Sequence, residues 1–118
     1  MTTGSSEVRF KNDYGKKIFV AYMRRDDFCE AVAGGNVWEV KGWINLDPGE
    51  TEYRANSTSN RWFYYYAEAV GGAFWSGPFA AKVDYKRFTW CAGTSYAEYD
   101  VGMRELDTAK YTGVRFIP

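Results

Sequence analysis

The 118-residue chain has the length of one domain and can bury a single core without a metal or a dense disulfide framework. Its 15 Lys and Arg balance its 15 Asp and Glu, so it lacks the basic excess or stripe that nucleic-acid binding leaves. It has no histidine, which removes the commonest general base, the commonest metal ligand and every Ser-His or Cys-His nucleophile arrangement.

Aromatic residues make up 19% of the chain. Aromatic and β-branched side chains suit a pleated, half-buried surface, so this surplus points to sheet. Met1 to Glu7 carries neither the basic nor the apolar region of a signal peptide. No apolar run approaches the roughly 20 residues of a membrane span. These features predict a flexible tail over residues 1–6 and one β domain over residues 7–118. The default location is cytoplasmic, and it becomes secreted if the chain is a processed form.

Glu7 to Lys11 alternates strictly, with Val8 and Phe10 apolar, which predicts a strand with one wet face. Asn12-Asp13-Tyr14-Gly15 is turn chemistry. Lys17 to Met23 is apolar on both faces, and the two segments are expected to form a hairpin. Asp26 to Ala33 is expected to hold a short helical turn, capped by Asp26 or Asp27 and ended by Gly34-Gly35.

Val37 to Leu46 alternates again. Trp38, Val40, Ile44 and Leu46 form its expected core face, whereas Trp43 shares parity with Glu39, Lys41 and Asn45. Trp43 is therefore expected to point away from the core that Trp38 joins, unless a one-residue bulge at Gly42 reverses it. Asp47-Pro48-Gly49-Glu50 is a type II turn signature, after which Thr51 to Ala55 runs back. Asn56-Ser57-Thr58 fits a glycosylation sequon and, with no secretory signal, reads as loop chemistry.

Arg61 to Ala69 contains Trp62-Phe63-Tyr64-Tyr65-Tyr66, aromatic on both faces. Such a strand is either central and covered on both sides or displays an aromatic face. Gly71-Gly72 turns the chain. Phe74-Trp75, Phe79 to Tyr85, Arg87 to Cys91, Tyr99 to Leu106 and Tyr111 to Ile117 read as further short strands. About eight or nine strands at this spacing predict an all-β fold, an antiparallel β-sandwich or partly closed barrel.

The candidate chemistry is sparse. Glu68, Asp100 and Glu105 lie on or near strands, and Asp26, Asp27 and Glu30 share a loop. A carboxylate pair about 5 to 9 Å apart can hydrolyse a glycoside, but nothing local brings any two together. The loop cluster lacks the calcium-loop spacing. Cys29 and Cys91 are expected to be unpaired and mostly buried, and Cys91 has no histidine to activate it. No cofactor, metal or catalytic residue is expected. The leading expectation is a non-catalytic binding module with exposed aromatics, with Trp43, Tyr65 and Trp75 as its ligand-contacting residues and a sugar or a protein surface as its partner. The alternatives are a subunit of a homo-oligomer or larger assembly, a small carboxylate-dependent hydrolase, and a membrane-active β-toxin.

Four segments together resemble the small bacterial family catalogued as domain of unknown function 1036. They are Gly42 to Glu50, Tyr64 to Glu68, Trp75 to Phe79 and Arg104 to Thr108, and Phe10-Lys11-Asn12 with Val20-Ala21-Tyr22 also fits. The resemblance covers roughly residues 8–116 and implies a β-sandwich without implying an activity. The family pattern has a cysteine after the Pro-Gly-Glu turn and another after the Pro-Phe pair. Thr51 and Ala80 stand there, so the resemblance implies that a bridge between those places is missing.

Overall fold

The structure is a computed structural model and describes residues 6–25, 29, 38–56, 61–92 and 99–118. About two-thirds of the described residues are strand: β1 (Ser6–Asn12), β2 (Ile18–Arg25), β3 (Trp38–Leu46), β4 (Thr51–Asn56), β5 (Trp62–Ala69), β6 (Phe74–Trp75), β7 (Phe79–Val83), β8 (Phe88–Cys91), β9 (Tyr99–Asp107) and β10 (Gly113–Phe116). The helical turn expected at Asp26 to Ala33 lies outside the described residues, Cys29 excepted. No helix among the described residues is long and apolar enough to cross a membrane.

The strands form two sheets. The smaller has the order β10-β1-β4, and the larger runs β7-β9-β5-β2-β3-β8, with β6 also on β5. All pairings are antiparallel except β1 with β10, which is parallel. The expected hairpin of the first two strands does not form, because β1 pairs with β4 and β10 while β2 pairs with β3 and β5. The intervening turn carries the chain from one sheet to the other. Asn12 holds that crossing: fully buried, its Nδ2 donates to Lys16 O at 2.7 Å and Leu46 O at 2.9 Å, and its Oδ1 accepts from Tyr14 N at 2.9 Å. The Pro48-Gly49 turn closes as expected, with Glu50 N donating to Asp47 O at 2.9 Å and Gly49 at a φ of 85°. It too links the sheets, since β4 pairs with β1.

The larger sheet is covered on both faces. On one face Phe63 and Tyr65 of β5 join Val8, Phe10, Ile44 and Phe116 between the two sheets. On the other, Tyr64 and Tyr66 join Val40, Val83, Phe88 and Met103 inside the curl of the sheet upon itself. The aromatic strand is therefore central, the first of its two expected arrangements. The two ends of the larger sheet meet where the Trp90 indole N–H of β8 donates to Lys82 O of β7 at 3.2 Å. The result is a sandwich whose larger sheet is a partly closed barrel.

Cys29 and Cys91 are bridged, with Cα atoms 5.4 Å apart, which corrects the expectation of two free thiols. The pairing ties residue 29 to the edge strand β8 across 62 positions of chain, a separation over which local sequence carries no distance information.

Candidate functional site

Trp43 departs from its expected side because β3 is bulged. Val20 pairs with Ile44, but Ala21 pairs with Gly42, so Trp43 is the extra residue. Trp38 and Trp43 pack against the same cluster inside the curl, whereas Ile44 and Leu46 enter the core between the sheets. The even positions of β3 thus serve two different cores on either side of the bulge. Gly42 permits this, because a Cβ there would sit 2.5 Å from Phe88 Cε1.

Half-buried Trp43 packs edge-on to Tyr66 and Phe88, with ring centroids 6.2 and 6.1 Å away. Its indole N–H donates to Asp84 O at 2.8 Å. This bond anchors the segment between β7 and β8, which carries Tyr85 and Arg87.

Beside Trp43 opens a cleft of about 480 Å³, lined by Phe19, Trp43, Asn45, Glu68, Tyr85 and Arg87. Register explains its floor. Phe19 of β2 pairs with Asn45 of β3 on one side and with Glu68 of β5 on the other. Directly paired residues project from the same face of a sheet, so these three form one rung across three strands. Ala21, two residues on from Phe19, sits in the core inside the curl, which places the rung on that face.

The polar groups of the cleft are held without being used up. The Glu68 carboxylate accepts from Tyr66 Oη at 3.3 Å. The Lys17 ammonium lies 5.7 Å from the Phe19 ring centroid. Exposed Arg87 has no ion-pair partner among the described residues. An aromatic floor with a few convergent polar groups is the usual make-up of a small-molecule site.

Of the three expected ligand-contacting residues, only Trp43 lines this cleft. Tyr65 is buried between the sheets against Phe10 and Phe116, with ring centroids 6.3 and 6.0 Å away. Trp75 packs on that same side, 5.1 Å from Tyr14 and 5.2 Å from Phe116. Adjacent strand positions face opposite ways, which separates Tyr65 and Trp75 from the cleft. Sequence reasoning missed Phe19, Asn45, Tyr85 and Arg87 as one constellation.

The two other described carboxylates singled out in the sequence, Glu105 and Asp100, are engaged elsewhere. Glu105 accepts from Tyr64 Oη at 3.0 Å, and Asp100 pairs with Lys82 at 2.9 Å beside a separate cavity of about 220 Å³. Burial, together with the Glu105 carboxylate, pushes the Tyr64 hydroxyl up to about 12. Asp26, Asp27 and Glu30 lie outside the described residues. No group of three or more His, Cys, Asp or Glu among the described residues is placed to hold a metal ion.

Fold and cleft together define a curled β-sandwich with an aromatic and polar cleft floored by β3, β2 and β5 of the larger sheet. Comparison with known protein families, curated proteins and solved structures found no match.

Proposed function

We propose that the protein is a non-catalytic binding module whose cleft takes a saccharide. The observation that carries this reading is the Asn45–Phe19–Glu68 rung flanked by Trp43, Tyr85 and Arg87. The apolar C–H face of a sugar ring stacks on aromatic side chains, and its hydroxyls both donate and accept. Glu68 supplies acceptors, Arg87 supplies donors, and Asn45 supplies both. One wall is set by the Trp43 indole, so the cleft is partly organised before a ligand arrives.

Among the described residues a single carboxylate lines the cleft, that of Glu68. Glycoside hydrolysis ordinarily employs two, which supports binding over hydrolysis. The test is an array of neutral and acidic mono- to hexasaccharides that also carries extended peptides. The expected result is saturable binding to a saccharide class, lost in Arg87→Ala and in Glu68→Gln while their melting temperatures stay close to wild type. An array with no saccharide signal, or with peptide signals alone, overturns the reading.

A further inference from the structure

The rung that floors the cleft continues one strand further. Glu68 of β5 pairs with Phe74 of β6, so the row runs Asn45–Phe19–Glu68–Phe74 across β3, β2, β5 and β6. Phe74 therefore projects from the face that holds the cleft. Its neighbour Trp75 pairs with Ala67 and packs into the opposite core, as alternation requires. Phe74 is 63% exposed and Tyr85, at the other end of the cleft, is 73% exposed. Aromatic rings thus stand open to solvent on either side of a polar row.

We infer that the site is a groove for a saccharide chain, not for a single sugar, and that the chain lies across the strands from Tyr85 and Trp43, over Phe19, to Phe74. This rests on the saccharide reading above and deepens it. Adjacent strands lie about 4.8 Å apart, so the row from β3 to β6 spans about 14 Å. That strand spacing is close to the advance of one pyranose unit in an extended chain. Successive rings would then meet an aromatic wall at Trp43 and Tyr85, the Phe19 floor, the Glu68 position and Phe74. Between them Asn45, Glu68 and Arg87 face the hydroxyls.

The amphipathic row also favours a sugar chain over a peptide strand. A peptide added to a sheet runs along an open edge and uses main-chain hydrogen bonds. This row crosses strands whose main chains are already paired with one another.

The test uses the full chain and the length ladders of the saccharide class selected on the array, from one to six units. Affinity is expected to rise about three- to tenfold per added unit up to four units and then to level off. Phe74→Ala should remove the gain at the last of those steps. Tyr111→Ala, an equally exposed aromatic on the turn after β9, should leave the ladder unchanged. Affinity independent of length, or a ladder indifferent to Phe74→Ala, overturns the groove while leaving a single-sugar site standing. Absence of any saccharide binding removes the underlying reading and the groove with it.

Discussion

Trp43 and Asp84 are joined by one hydrogen bond of 2.8 Å from the indole N–H to the main-chain carbonyl, although 41 positions separate them in the chain. The bond ties a bulged residue of β3 to the segment that carries Tyr85 and Arg87. Trp43→Phe keeps most of the ring packing against Tyr66 and Phe88 and deletes the donor. Loss of one such bond should cost about 1 kcal/mol of stability. The larger effect should be on the segment itself. Hydrogen exchange at residues 84–87 should quicken and saccharide affinity should fall. Exchange unchanged from wild type would show that the segment holds its place without Trp43.

The Cys29–Cys91 bridge closes a loop of 62 positions. For a loop of that length the constraint on the unfolded chain is worth roughly 4 kcal/mol. Thiol counting in denaturant without reductant should give zero. Reductant, or the double replacement Cys29→Ser with Cys91→Ser, should lower the denaturant midpoint by a corresponding amount. Two free thiols in the purified protein, or a midpoint insensitive to reductant, would contradict the bridge.

Asp107 and Arg61 form a two-pronged pair, with Arg61 Nε 2.8 Å from Oδ1 and Nη2 2.7 Å from Oδ2. The hydrogen bonds from Arg61, aided by the Ala109 amide, hold the Asp107 carboxyl at about 2 against the cost of its desolvation. A carboxyl lowered by folding stabilises the fold above its unfolded value of about 4, and that contribution fades as pH falls from about 4 towards 2. Asp107→Asn should therefore melt below wild type at neutral pH, and the two curves should converge near pH 2. A gap that stays constant across that range would mean that the pair contributes nothing through its charge.

Much of the local structure was legible in the sequence, because local structure is written in adjacent residues. The alternation of Glu7 to Lys11 buries Val8 and Phe10, and the Asp47 to Glu50 turn closes with the bond its Pro-Gly pair prescribes. Pairing was less legible. Asn12 to Gly15 has the chemistry of a turn, and a turn that returns a strand to its neighbour looks the same as one that crosses between sheets. What decides between them is Asn12 bonding to Leu46, a contact across 34 positions.

Of the three residues chosen from the sequence, one lines the candidate cleft. Simple parity misplaced Trp43, since a bulge leaves no local mark beyond Gly42, where Phe88 presses against the main chain. Tyr65 and Trp75 were chosen as aromatic, and aromatic character alone does not separate a core ring from a cleft ring. The Asn45–Phe19–Glu68–Phe74 row emerges only from the register of four strands, and no stretch of sequence contains it.

The most direct measurement is a titration of 15N-labelled protein with the best saccharide from the array, read at the indole N–H signals of the five tryptophans and at the backbone amides. Trp43 lines the cleft, whereas Trp75 packs against Tyr14 and Phe116 on the other face, and Trp62 lies under the Arg61 guanidinium, 4.7 Å from its ring. A saturable shift of the Trp43 indole signal is predicted, together with the amides of Tyr85 and Arg87 and with Trp62 and Trp75 unmoved. A saturable shift at Trp62 or Trp75 with Trp43 unmoved, or no saturable shift at any of them, would contradict the assignment of this cleft as the binding site.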